Sequence, residues 1–242
     1  MRKSKFQVAK MMAIALVCVM AVVGCGGDGG DGGNGGNGGG GQAFLGAELN
    51  LTGQVWEINR NSDDDPITEE NWMKFTGSRE ITSVGFETDE FKNIGGSGAI
   101  TDGQFSFSVG IPAALVNIQE MFEDEFAEMF NDFKTIPSGT QIASIDNIYL
   151  AGGGKNRVLK QWRLGHKDTS GLQEEVYYLY VDRDVAITGG GKTDGGSMSK
   201  NLNVNLKTGW NVVTMKKEWD ETTYTVSMLP GDSPKARYII SY

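Results

Sequence analysis

Along much of this chain apolar residues fall on every second position, and that pattern constrains the fold more than anything else in it. Leu49, Leu51, Gly53 and Val55 alternate with Asn50, Thr52, Gln54 and Trp56. Phe105, Phe107 and Val109 alternate with Ser106 and Ser108; Leu202, Val204 and Leu206 alternate with Asn201, Asn203 and Asn205. Successive side chains of a strand point to opposite faces, so each run reads as a strand with one buried face. Thr101-Asp102-Gly103 between two such runs is a strong hairpin signal. Residues 175–181 are apolar on both faces, which predicts a central strand. Weaker strands are read at 73–77 and 80–86, and further strands at 142–150, 158–164, 184–188, 210–215, 222–228 and 237–242. The glycine run Gly189-Gly190-Gly191 reads as a hairpin loop. About ten strands with regular turn signals predict a mainly β fold, an antiparallel β-sandwich or a curled barrel-like sheet.

One segment breaks the period. Leu115, Ile118, Phe122, Phe126, Met129 and Phe133 recur at steps of three and four, which predicts a single amphipathic α-helix. Asn117 with Glu120 resembles a capping box, Pro112 is an alternative start, and Pro137 marks the stop. The opposite face carries Glu120, Glu123, Asp124, Glu125, Glu128 and Asp132. A membrane-surface helix prefers a basic polar face. The Phe/Met stripe is therefore expected to cover the sheet, with docking to a partner protein as the alternative.

The first 41 residues have a different character. Arg2, Lys3, Lys5 and Lys10 precede an uncharged apolar run, Met11 to Val23, too short for the roughly 20 residues that span a bilayer. A basic start, a short apolar run and a small residue form the layout of a secretory leader. The run ends Val22-Val23-Gly24-Cys25, which resembles the lipobox of bacterial lipoproteins. That resemblance implies cleavage between Gly24 and Cys25 and acylation of the Cys25 thiol. Gly26 rather than Asp follows, which in Gram-negative members of the class implies the outer membrane rather than the inner. Residues 26–41 are nearly all Gly with Asp28, Asp31, Asn34 and Asn37. They lack the imino acids of collagen and the apolar residues of a calcium-binding solenoid. They read as a flexible tether spanning about 20–25 Å. The expected organisation is a signal peptide at 1–24, a lipidated Cys and tether at 25–43, and one β-rich domain at 44–242. The stretches Tyr178-Leu179-Tyr180-Val181-Asp182-Arg183-Asp184, continuing to Gly189, and Leu206-Lys207-Thr208-Gly209-Trp210-Asn211, continuing to Val213, resemble uncharacterised paralogous bacterial lipoproteins. That resemblance implies an all-β lipoprotein domain and no activity.

Charge and cysteine usage narrow the chemistry. Of 22 Lys and Arg, four lie in the leader, whereas all 31 acids follow it, so the remainder carries 18 bases and a formal charge of −13. Such a surface repels phosphate backbones, and no nucleic-acid partner is expected. Cys18 departs with the leader and Cys25 is committed to lipid. The domain then has no thiolate nucleophile, thiolate metal site or disulfide.

Several constellations are candidate sites. Asn59, Asn61, Asp63, Asp65 and Glu70 occupy the first, third, fifth, seventh and twelfth places of a calcium loop, but Asp64 replaces the turn glycine. They are weak candidates for calcium. Ala186 to Thr193 fits a relaxed phosphate-loop pattern, but the residues after it are not helical. Gly152-Gly153-Gly154-Lys155 echoes it. His166 is the only histidine, and Gly95-Gly96-Ser97-Gly98-Ala99 misses the last glycine of a nucleophile elbow. Asp182 and Asp184 are placed on one strand face, and glycosidases use two carboxylates. Trp56, Trp72, Trp162, Trp210 and Trp219 are either core residues or platforms for sugars. The expectation is a non-enzymatic, lipid-anchored module of the cell envelope, with binding or structural function. Its partners are the lipid bilayer and either polysaccharide or another envelope protein. Carbohydrate binding and an envelope hydrolase using paired carboxylates are the alternatives.

Overall fold

The computed structural model describes residues 43–58, 72–87, 90–121, 134–145, 147–151, 157–167, 170–192, 197–233 and 236–241. In chain order the strands are β1 (Ala43–Gly46), β2 (Leu49–Ile58), β3 (Trp72–Lys74), β4 (Arg79–Glu87), β5 (Phe91–Asn93), β6 (Ser97–Thr101), β7 (Gln104–Val109), β8 (Val116–Asn117) and β9 (Lys134–Ile136). They continue with β10 (Gln141–Ser144), β11 (Asn147–Leu150), β12 (Arg157–Lys167), β13 (Ser170–Val181), β14 (Val185–Lys192), β15 (Met198–Leu206), β16 (Gly209–Trp219), β17 (Tyr224–Pro230) and β18 (Arg237–Ser241). Among the described residues the protein is mainly β, two curled sheets forming half-barrels with one short helix.

In the first sheet the pairing can be followed round a ring. It runs from β2 through β7, β6, β4, β11, β12 and β18. A parallel pair, Tyr238 opposite Val55 and Ile240 opposite Glu57, returns it to β2. The alternation fills the interior. Leu49, Leu51, Val55, Phe105, Phe107, Ile100, Val84, Phe86, Ile148 and Ile240 are all buried. Asn50, Thr52, Ser106 and Ser108 face solvent. Tyr238 lies across Gly53, where a Cβ would stand 2.5 Å from the ring, and against Phe105 at 4.6 Å between centroids. Gly53 is thus a glycine because an aromatic ring occupies its side-chain space. The β6–β7 hairpin turns at Asp102 (φ 48°) and Gly103 (φ 77°), the left-handed pair that a two-residue turn requires.

The second sheet is organised on β13. It pairs with β16 along its length, and on its other edge with β12 and then β10. Residues 175–181 are buried throughout, as expected of a central strand. Beyond β16 the sheet continues through β17, β15 and β14 to β9. The β15–β17 pair is parallel. β1 extends the edge of β16 past the end of β17. The cores of both sheets form one contiguous cluster.

Several expectations are corrected. The single strand read at 142–150 is two strands. Ser144 still pairs with Leu179, the Ile145 N–H donates to the Tyr178 carbonyl at 3.1 Å, and β11 then crosses into the gap between β4 and β12. Gly189, Gly190 and Gly191 belong to β14 and are not a loop; they pair with Leu202, Asn201 and Lys200. Gly190 (φ 145°) would bring a Cβ to 2.5 Å from the Lys200 carbonyl oxygen, so backbone proximity explains the glycine. The helical segment starts later than Leu115. Val116 and Asn117 form β8 against β10, and helix begins at 118. The Asn117 Oδ1 accepts from the Gln119 N–H at 2.9 Å, the N-cap geometry. Ile118 and Met121 are buried. Phe122, Phe126, Met129 and Phe133 lie outside the described residues.

Candidate functional site

Cys25, Gly24 and the tether lie outside the described residues, as do Asn59, Asn61, Asp63, Asp65 and Glu70 and the 152–155 echo. Trp162 and His166 are described through their backbone alone, in β12 opposite Glu175 and Gly171. Ser97 opens β6 opposite Ser108.

Asp182 and Asp184 do not share a strand face; both stand in the turn between β13 and β14. Each is engaged locally. Asp182 accepts from the Arg183 guanidinium at 2.6 Å and from the Gln141 N–H at 2.9 Å, and the Arg183 bonds above all hold its carboxyl below the ordinary range. Asp184 accepts from Lys207 Nζ at 2.6 Å and from the Thr208 N–H and hydroxyl, which hold it at about 2, with Lys207 the largest cause. Carboxylates so occupied tie turns together and stay ionised at neutral pH, with no proton to donate.

The strongest buried charge is elsewhere. Glu175 on β13 and Lys217 on β16 are both buried, and Lys217 Nζ lies 3.2 Å from Glu175 Oε2. Tyr177 donates to the same oxygen at 2.9 Å, and Gln173 Nε2 donates to Oε1. A buried carboxylate is tolerated when its oxygens are filled this way. The two residues lie on neighbouring strands of one face, yet nothing in their local sequence pairs them.

A second set of buried polar atoms lies on β13 and β18. The Tyr178 and Tyr238 hydroxyls are buried and have no hydrogen-bond partner among the described residues. Burial pushes both phenols well above their ordinary value, and Asp232 adds to the shift. Asp232 is itself raised to about 6, chiefly by desolvation. It stands on an exposed turn, so solvent limits what this costs the fold.

The outer face of the ring carries the arrangement best suited to a ligand. The β2–β3 and β18–β2 pairings bring Trp56, Trp72, Lys74, Arg237 and Ile239 together. Arg237 Cζ is 4.3 Å from the Trp56 ring centre and 5.3 Å from that of Trp72, and Lys74 Nζ is 5.9 Å from Trp56. Trp72 and Ile239 are buried, while Trp56 is half-buried and Lys74 exposed. A guanidinium stacked on an indole can still donate from its N–H edge to an acceptor. Trp56 was legible as a candidate platform; Arg237 was not, because only the remote β18–β2 closure delivers it. Of the other tryptophans, Trp210 is fully buried, donating to the Gly110 carbonyl at 2.8 Å, and Trp219 is half-buried. Asn201, Asn203 and Asn205 form an exposed row on β15.

No group of three or more His, Cys, Asp or Glu placed to hold a metal ion occurs among the described residues. No described helix is long and apolar enough to cross a membrane. None of the family models, curated proteins and solved structures compared with the chain matches it.

Proposed function

We propose that this chain is a lipid-anchored protein of the cell envelope whose β domain is a non-catalytic binding or structural module. The observation that carries the reading is Val22-Val23-Gly24-Cys25, closing an uncharged apolar run after a basic start and opening a glycine tract. An acylated Cys25 with two or more chains gives stable attachment without a spanning helix, at ~0.8 kcal/mol per buried methylene. The local engagement of Asp182 and Asp184 favours a non-catalytic domain over a hydrolase using that pair. Cys25→Ser tests the anchor. The variant is expected to fold normally and to leave the membrane fraction; a variant that still fractionates wholly with membrane removes the reading.

Polysaccharide binding is the second reading, favoured by Trp56 beside Arg237 and Lys74. An indole face stacks on a sugar, and two cations suit an acidic one. Trp56→Ala is expected to abolish retention on an acidic polysaccharide column, and a wild-type protein with no retention on any such column dismisses it.

A further inference from the structure

Several cations of this acidic chain sit beside an acid. Arg183, Lys207, Lys216 and Lys217 each lie within ion-pair distance of a carboxylate. Arg237 and Lys74 do not; among the described residues neither has a carboxylate partner, and what they share instead is an indole. Lys74 stands opposite Trp56 across the β2–β3 pair, and Ile239, two residues after Arg237, stands opposite Trp56 across the β18–β2 pair. The register therefore gathers both cations at one ring, with Arg237 Cζ 4.3 Å and Lys74 Nζ 5.9 Å from its centre.

The surroundings of Arg237 are apolar. Trp72 and Ile239 form a small buried cluster against which Trp56 packs, and Arg237 Cζ is 5.3 Å from the Trp72 ring centre. The Trp72 Nε1–H is itself buried and has no acceptor among the described residues. An N–H left in that state costs about 1–3 kcal/mol. Two like charges beside apolar side chains repel more strongly than they would in open water, and an anion between them reverses that balance. The Trp56 ring takes the face of the guanidinium, so a ligand meets its edge. That edge carries paired N–H groups whose spacing matches two oxygens of a carboxylate or a sulfate.

We propose that Arg237, Lys74 and the Trp72 N–H form an anion subsite that takes the carboxylate or sulfate group of an acidic saccharide. The proposal rests on the polysaccharide reading above and assigns what is recognised there. The charged group is held by the edge of Arg237, and Trp56 holds Arg237 in place. Arg237 is then the residue that sets specificity, and a lysine does not replace it, because an ammonium lacks the planar fork.

Calorimetric titration of the full chain with polygalacturonate, dextran sulfate and neutral dextran tests it. One or both of the acidic polymers are expected to bind, which tells carboxylate from sulfate, and neutral dextran is not. Arg237→Lys is expected to weaken the binding about tenfold, the loss of a charge-assisted hydrogen bond. A second readout needs no variant of Arg237: the Trp72 indole N–H resonance, assigned with Trp72→Phe, is expected to move downfield when the acidic polymer is added. Equal binding of dextran overturns the anion subsite and leaves saccharide binding standing. So does acidic-polymer binding that leaves the Trp72 resonance unmoved, or that survives unchanged in a folded Arg237→Lys protein. No binding of any of the three polymers overturns the subsite and the polysaccharide reading together.

Discussion

The two sheets solve the same problem differently. The first closes on itself, so every strand of the ring has two neighbours and its interior is filled by apolar and aromatic side chains, with Tyr238 laid over Gly53. The second remains open beyond β14 and β9, and keeps a buried ion pair, Glu175 with Lys217, beside its apolar residues. Closure removes sheet edges and leaves a volume that must be packed. The open sheet adds to its share of the contiguous core a buried charge that must keep its partner. The ring should therefore respond to lost volume, and the open sheet to lost charge balance.

The largest expected effects test that contrast directly. Phe107→Ala opens a hole in the closed ring and is expected to cost about 3–5 kcal/mol in denaturant unfolding. A loss under about 1 kcal/mol would mean that the ring collapses around the gap and is not rigidly closed. Lys217→Met strands Glu175 as a buried charge and is expected to cost a similar 3–5 kcal/mol, whereas Glu175→Leu/Lys217→Met recovers most of it. If the double variant is no better than the single, the pair is not the reason the single variant fails.

Middle-sized effects probe how the ring is turned and how the helix starts. Gly103→Ala forces a Cβ to 1.9 Å from the Phe75 carbonyl oxygen at a residue with positive φ, and should lose about 1–3 kcal/mol. Asn117→Ala removes the cap on Gln119 and should lose about 1 kcal/mol, read by thermal melting.

How much of this was legible follows from range. The 97–109 hairpin could be read because its turn residues and its alternation are local, and the central strand at 175–181 because its apolar residues fill both faces. The break at Ile145 could not, since nothing at that residue announces that the chain must leave β13 to fill the gap between β4 and β12. Gly190 misleads because a glycine placed in a strand for backbone proximity looks like a loop glycine. Arg237 reaches Trp56 only through the parallel closure of the ring, and Lys217 reaches Glu175 only through strand pairing 42 residues apart. Asp182 and Asp184 have strand spacing but belong to a turn, because each accepts hydrogen bonds that bend the chain there.

The smallest effects concern pH. Asp184 and Asp220 are held at about 2, below the ordinary 3.8, Asp184 mainly by Lys207 and Asp220 mainly by the Thr222 N–H. Their stabilisation is complete above about pH 4 and is lost as pH falls towards 2. Asp232, raised to about 6, acts with the opposite sign: the folded state binds its proton more tightly, so stability declines as pH rises from about 4 through 6. Asp232→Asn should flatten that decline in melting temperature, and an unchanged slope would remove Asp232 as its source.

All of these concern the domain, while the central claim concerns what holds it. Intact-mass measurement of the protein extracted from its host membrane tests that claim most directly. The account predicts a chain beginning at Cys25, heavier than its residues by a diacylglycerol group, with or without a third acyl chain. A chain beginning at Met1, or an unmodified Cys25, would contradict it.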